Sequence, residues 1–198
     1  MRKEEFEMEN LAKQFYIERS KRIRKIRRNK RWGFDFENTA DFIMDMTNLT
    51  PQSYGCRLES FLIEKTQSEK VSSSLDRGDA LKSGKYIEIK SSIITEWNTK
   101  LNFVQIRLYQ DVDYYLGYAF DIRDPENPEE YIFLLSKEQM QSEIIKTNAS
   151  FAHGTKSMNE KNVNSEYRFS LNISNKDDNF KRWKESYRIN SLEEISVQ

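Results

Sequence analysis

The chain has 198 residues, of which 32% are charged and 13% aromatic, and its 32 basic and 32 acidic residues give a formal net charge of zero. That length suits one domain with a real core, and the aromatics supply apolar area that disordered chains lack. One cysteine, Cys56, and one histidine, His153, exclude an internal disulfide and any cysteine- or histidine-rich zinc site, and no GxxxxGK[ST] or GxGxxG offers a nucleotide cradle.

A metal here must therefore be held by oxygens, which suit Mg²⁺, Mn²⁺ or Ca²⁺. No apolar run approaches the roughly 20 residues that span a bilayer. The opening MRKEEFEMEN has no apolar core of the signal-peptide kind. A cytoplasmic protein without a membrane partner is expected.

Phe6, Leu11, Phe15, Ile23 and Ile26 form a loose apolar stripe that predicts a long helix over 3–30. Its second half, RSKRIRKIRRNKR at 19–31, holds nine Lys or Arg and no acid. Such a block attracts polyanions even in a neutral protein. Arg22, Lys25 and Arg28 fall three apart on one broad face, and Lys30 and Arg31 follow. Gly33 breaks this helix, and a short one over 39–46 follows.

TPQSYGCRLESFLIEK reads as a turn and then a helix, with Leu58, Phe61 and Leu62 inward and Glu59 at the edge of that face. Cys56 reads as a small buried filler. The helix fades into the polar loop SEKVSSS. LDRGDAL and KYIEIKSS flank Lys82-Ser83-Gly84 as the arms of a hairpin. LNFVQIRLY, YYLGYAFDI, EYIFLLS and YRFSLNI are further strands. Ser136 and Gln139 form a capping box for a helix to about 147. Phe180, Trp183 and Tyr187 mark a closing amphipathic helix, with Trp183 in the core. Tyr109, Tyr114 and Tyr115 read as core or hydrogen-bonded tyrosines. The expected fold is α/β (α+β): a central mixed sheet flanked by helices, with a long N-terminal helix.

Side chains alternate along a strand, so Ile87 and Ile89 point one way and Tyr86, Glu88 and Lys90 the other. The hairpin brings Asp79 back toward Glu88. Two carboxylates and an ammonium then converge, unless Glu88 and Lys90 are merely a solvated strand face.

Asp79 followed by Glu88-Ile89-Lys90 resembles the motif of the PD-(D/E)XK nucleases, the superfamily of most type II restriction endonucleases. Glu59 on the preceding helix fits the same pattern, as do NFVQIRLYQDVDYYL and AHGTK further along. Gly78 stands where the pattern has Pro. The resemblance spans about 55–170 and implies a restriction-endonuclease-like core. It does not cover the N-terminal helix; one nuclease domain over 1–198 is expected, with a basic helical extension (1–33), a catalytic core (50–173) and a closing helix (176–188). Asp79 and Glu88 would hold Mg²⁺, with Mn²⁺ able to substitute, aided by the Ile89 carbonyl and, for a second ion, Glu59. Lys90 would orient the attacking water and offset negative charge, and Gln105 would bind a water near the phosphate. Arg22, Lys25, Arg28, Lys30, Arg31, Arg107, His153, Thr155 and Lys156 would contact DNA, and the polar run 157–166 can read bases. Arg107 and Gln105 each have a plainer reading as polar surface residues.

The implied function is sequence-specific cleavage of double-stranded DNA by a homodimer. A junction-resolving or repair nuclease of the same fold, a non-catalytic nucleic-acid binder, and an interaction protein whose basic helix docks an acidic partner stay open beside it.

Overall fold

The computed structural model describes Met46 and residues 51–124, 127–147, 149–151, 166–174, 176–192 and 195. The chain divides into two compact units, 1–54 and 55–198. In the first, Met46 is helical and buried. The expected helix over 3–30, and the one over 39–46 apart from Met46, lie outside the described residues. The elements that follow belong to the second unit, save the first turn of its opening helix.

Helix α1 is Pro51–Lys65. Leu58, Phe61 and Leu62 are buried, as their spacing predicts, and Ile63 joins them. Cys56 is exposed rather than a buried filler. It stands two residues before Leu58, and two helical steps turn it about 200° from that face. The helix stops at Gln67, whose φ of 53° is left-handed. Gln67 N donates to Glu64 O (3.1 Å) and Ser68 N to Ile63 O (3.0 Å), which satisfies the last carbonyls.

The segment expected as a polar loop contains a short strand, β1, Glu69–Lys70. It pairs with β2, Ala80–Lys82, and buried Val71 anchors it. β2 pairs in antiparallel register with β3, Lys85–Ile94. Ser83 and Gly84 join them with φ of 52° and 76°, a pair of left-handed residues that suits a two-residue hairpin turn.

β4 is Lys100–Arg107, β5 Tyr114–Asp121 and β6 Glu129–Ser136. Helix α2, Lys137–Lys146, carries the Ser136–Gln139 capping box. β7 is Ser150–Phe151 and β8 Glu166–Asn172. Helix α3, Asp178–Tyr187, is capped by Asp177 and leads into β9, Arg188–Ile189.

The result is an α+β fold with a mixed central sheet, ordered β1-β2-β3-β5-β6-β9, in which only β3 and β5 run parallel. Parallel neighbours need a crossover. β4 lies within that crossover and joins β8 and β7 in a second, antiparallel sheet that the strand pattern alone did not foretell. β5 is buried on both faces over most of its length, as befits a central strand.

Register fixes what each face carries. Glu88, Tyr115 and Leu135 form one row across β3, β5 and β6, and Lys90, Gly117 and Phe133 the next. That face packs on the second sheet. A Cβ at Gly117 would lie 2.7 Å from the Phe103 ring, so glycine is what lets the sheets approach there. Trp183 is fully buried, stacked on Phe169 at 4.4 Å and edge-on to Phe133 at 5.4 Å. Tyr115 is buried, whereas Tyr109 is 47% exposed and so not core.

Glu143 fastens α2 to α3. It is fully buried and takes both Arg182 terminal nitrogens at 2.6 Å, the Trp183 indole at 2.7 Å and the Tyr187 hydroxyl at 2.9 Å. Burial alone would push its carboxyl up. The Arg182, Trp183 and Tyr187 hydrogen bonds overcome that and lower it to about 2. No helix among the described residues is long and apolar enough to cross a membrane.

Candidate active site

β2 is only three residues long, so β3 has edge groups that no strand residue pairs. Asp79 serves them. Its amide donates to Ile87 O at 2.9 Å, and its Oδ2 accepts the Ile89 amide at 2.8 Å. The carboxylate thus stands in for a backbone carbonyl, and Asp79 is held alongside the Glu88–Lys90 stretch by two backbone bonds. On its other side Asp79 O accepts from Val71 N at 3.0 Å.

Gly78 makes this placement work. Its φ is +74°, and a Cβ there would sit 2.8 Å from Ile87 O and 3.0 Å from Val112 Cγ1. Proline, with φ fixed near −65°, does not fit this backbone. Glycine is the residue this turn requires.

Glu88 and Lys90 are not a solvated face. Their side chains are 5% and 13% exposed, and Lys90 Nζ lies 2.5 Å from Glu88 Oε1. Burial pushes the Glu88 carboxyl up; Lys90 pulls it back, Asp79 pushes it up again, and the balance stays above the ordinary carboxylate range. Arg107 also pulls it down, which places that guanidinium within electrostatic reach. Burial and the Glu88 charge push the Tyr115 phenol up, and its hydroxyl donates to Arg107 O at 3.1 Å.

Glu59 enters the same field. Burial and the neighbouring Asp79 push its carboxyl up, while Lys70 and Lys90 act in the other direction. Lys70 Nζ sits 3.2 Å from Glu59 Oε1. The strand reading of β1 was missing from the sequence, and with it Lys70, which had no local signal.

The geometry therefore brings Asp79, Glu88, Lys90 and, at its margin, Glu59 into one electrostatic cluster, with the Ile89 amide as the tie. Asp79 Oδ2 and Glu88 Oε1 are engaged, and the second oxygen of each accepts no hydrogen bond among the described residues. Two carboxylates with free hard oxygens suit Mg²⁺, which keeps much of its own water. Among the described residues no three His, Cys, Asp or Glu gather closely enough to form a metal-ligand group. A full acidic cage of the kind Ca²⁺ prefers is not formed by them.

Arg107 is bound to Glu166 through Nε at 2.8 Å and a terminal nitrogen at 2.7 Å. Gln105 is exposed on a bulge of β4, two residues before Arg107, and hydrogen-bonds to none of the acids. Arg22, Lys25, Arg28, Lys30, Arg31, His153, Thr155 and Lys156 lie outside the described residues, as does the run 157–165.

No family model matches the chain, and no curated protein matches it.

Proposed function

We propose that the protein is a Mg²⁺-dependent endonuclease that hydrolyses phosphodiesters in double-stranded DNA, of restriction type and built on a restriction-endonuclease-like core. The observation that carries the reading is Asp79 tied to the Ile89 amide across β3 from a buried Glu88–Lys90 pair. Burial, and after it the neighbouring Asp79 charge, push the Glu88 carboxyl up, which costs the fold stability. Clusters of this kind concentrate at functional sites.

In this reading the free oxygens of Asp79 and Glu88 hold the ion, with the Ile89 carbonyl as a further ligand and Mn²⁺ able to replace Mg²⁺. A divalent cation there neutralises charge on the phosphate and makes water a better nucleophile at neutral pH. Lys90 swings from Glu88 to the attacking water and offsets the negative charge that develops on the phosphoryl oxygens. Tyr115 fixes the β4 backbone beside Glu88 through Arg107 O. The basic block at 19–31, with Arg22, Lys25, Arg28, Lys30 and Arg31, grips phosphates, as do His153, Thr155 and Lys156. Cutting both strands of a palindrome calls for a symmetric pair of sites, hence a homodimer. Action on cellular DNA fits a cytoplasmic protein.

The test is incubation of the purified protein with a large DNA and Mg²⁺. Discrete fragments that vanish in Lys90→Ala support the reading, and no cleavage at any divalent-ion concentration refutes it. Branched against linear substrates separates a junction resolvase from a restriction enzyme. Asp79→Ala should lose cutting yet keep DNA binding; equal loss of both would make Asp79 a structural residue only.

One observation favours a second reading. The Glu88–Lys90 pair is closed at 2.5 Å, which is how a purely structural ion pair would look. A non-catalytic DNA binder with such a pair would bind duplex in a salt-dependent way and never cut it.

A further inference from the structure

We infer that Gln105 and Arg168, side by side on the outer face of the second sheet, read base edges in the major groove of the DNA. The inference rests on the nuclease reading and adds to it the element that selects sequence.

The register of β4 and β8 slips between Phe103↔Phe169 and Ile106↔Tyr167, so Val104 and Gln105 together face Arg168. This is a β-bulge, and bulges re-aim side chains. Gln105 has a φ of 57°. Glycine usually fills that left-handed bulge position, and a glutamine there is strained. Strain of this kind persists mostly where function holds it. Its outcome is plain: Ile106 returns to the core, and Val104 and Gln105 both face solvent.

The neighbouring polar groups are already satisfied. Asn102 Oδ1 accepts from Ser170 Oγ at 2.5 Å, and Asn102 Nδ2 donates to Asn98 Oδ1 and Lys100 O, both at 3.1 Å. Gln105 and Arg168 differ. Both are exposed, and among the described residues neither side chain makes a hydrogen bond or an ion pair. A free amide and a free guanidinium are the groups that bind adenine and guanine edges in bidentate fashion.

Charge and position agree with this occupant. Glu166 is neutralised by Arg107, so among the described residues of β4 and β8 exposed Lys100 and Arg168 carry charge of sign opposite to a duplex. β4 is the edge strand of its sheet and crosses over β3, with Asn102 N donating to Ser92 Oγ at 2.9 Å. The bulge lies between that crossing and Arg107, which reaches Glu88 electrostatically. Arg107 O also accepts from Tyr115, the strand neighbour of Glu88, so the bulge stands two residues along β4 from that contact.

The experiment selects bound duplexes from a randomised library with the full chain carrying Lys90→Ala, alone and with Gln105→Gly or Arg168→Gln added. Each added substitution should cut the preference at one or two base pairs by roughly 5- to 150-fold while binding to unrelated duplexes persists. Gln105→Gly also removes the backbone strain. Its denaturation midpoint should hold or rise, so a lost preference cannot be put down to unfolding. Unchanged preferences in both variants overturn the inference, and so does a parent chain that binds without preference. Mg²⁺ cleavage by the wild type, abolished in Lys90→Ala, would then leave the nuclease reading standing. Loss of cleavage and binding together overturns both.

Discussion

Replacing Gly78 probes the turn that sets Asp79, and Gly84 provides the control. Both glycines have left-handed φ, +74° and +76°. An alanine forced into that region loses about 1–2 kcal/mol. At Gly84 nothing lies within 4 Å of the added Cβ, so Gly84→Ala should stop there. At Gly78 the Cβ meets the backbone oxygen and carbon of Ile87 at 2.8 and 2.9 Å, and Val112 Cγ1 at 3.0 Å. Backbone in the middle of a paired strand cannot yield cheaply, and overpacking of this sort costs about 1–3 kcal/mol more. Gly78→Ala should therefore destabilise by about 2–5 kcal/mol, a fall in Tm of roughly 4–20 °C for a chain this size. Relief of the clash must also disturb the Asp79 amide bonded to Ile87 O, so DNA cleavage should drop far more than in Gly84→Ala. Urea denaturation of the two variants, read beside a cleavage assay, checks both parts. Equal losses in the two variants would refute the close-approach argument. A Gly78→Pro protein as stable as the parent would refute the backbone assignment itself.

Three further outcomes are expected. Glu143→Gln should cost about 3 kcal/mol at neutral pH, since a carboxyl lowered from 4.5 to about 2 is favoured in its charged form by that much. A lowered pKa gives stability that is full above 4.5 and fades as pH falls toward 2. The gap between variant and parent in pH-dependent denaturation should close over that window, and a gap that persisted at pH 2 would count against it. Lys90→Ala should lower the cleavage rate at least a hundredfold. Its removal takes away a cation that draws Glu88 down, so the acid limb of any residual activity should move to higher pH; a limb that stays put would separate Glu88 from the rate. Neutral replacements at Arg22, Lys25, Arg28, Lys30 and Arg31 should weaken binding to all duplexes and flatten the salt dependence of the binding constant, and an unchanged slope would take that segment off the DNA.

Local patterns made much of the fold legible. The Ser83-Gly84 turn, the capping box at Ser136 and the Phe180–Trp183 spacing each depend on neighbours in the chain, and each appears where its pattern predicts. What escaped notice depends on distant residues. The two-residue strand at Glu69–Lys70 has no periodicity, so Lys70 as partner of Glu59 had no signal. In the second sheet β4 pairs with a strand about sixty to seventy residues on, as in Asn102 with Ser170. A bulge at Gln105 shows no turn residue, because the position that glycine would mark holds glutamine. No local pattern marks Glu143, because its partners Arg182, Trp183 and Tyr187 lie about forty residues on.

The same distinction bears on the candidate site. In the sequence Glu88 and Lys90 have the alternation of a strand with one wet face, and alternation alone favours that reading. Register reverses it. Lys90 sits beside Gly117, over which Phe103 packs, and Glu88 sits beside buried Tyr115. A side chain that a strand would ordinarily give to water is instead enclosed with its counter-charge and a second acid. Replacing the pair by apolar residues of like volume would be neutral or stabilising in most proteins. The variant Glu88→Leu with Lys90→Met should accordingly be at least as stable as the parent and devoid of cleavage. A clear loss of stability in that double variant would mean that the fold needs the ion pair, which would remove the energetic argument for a catalytic role.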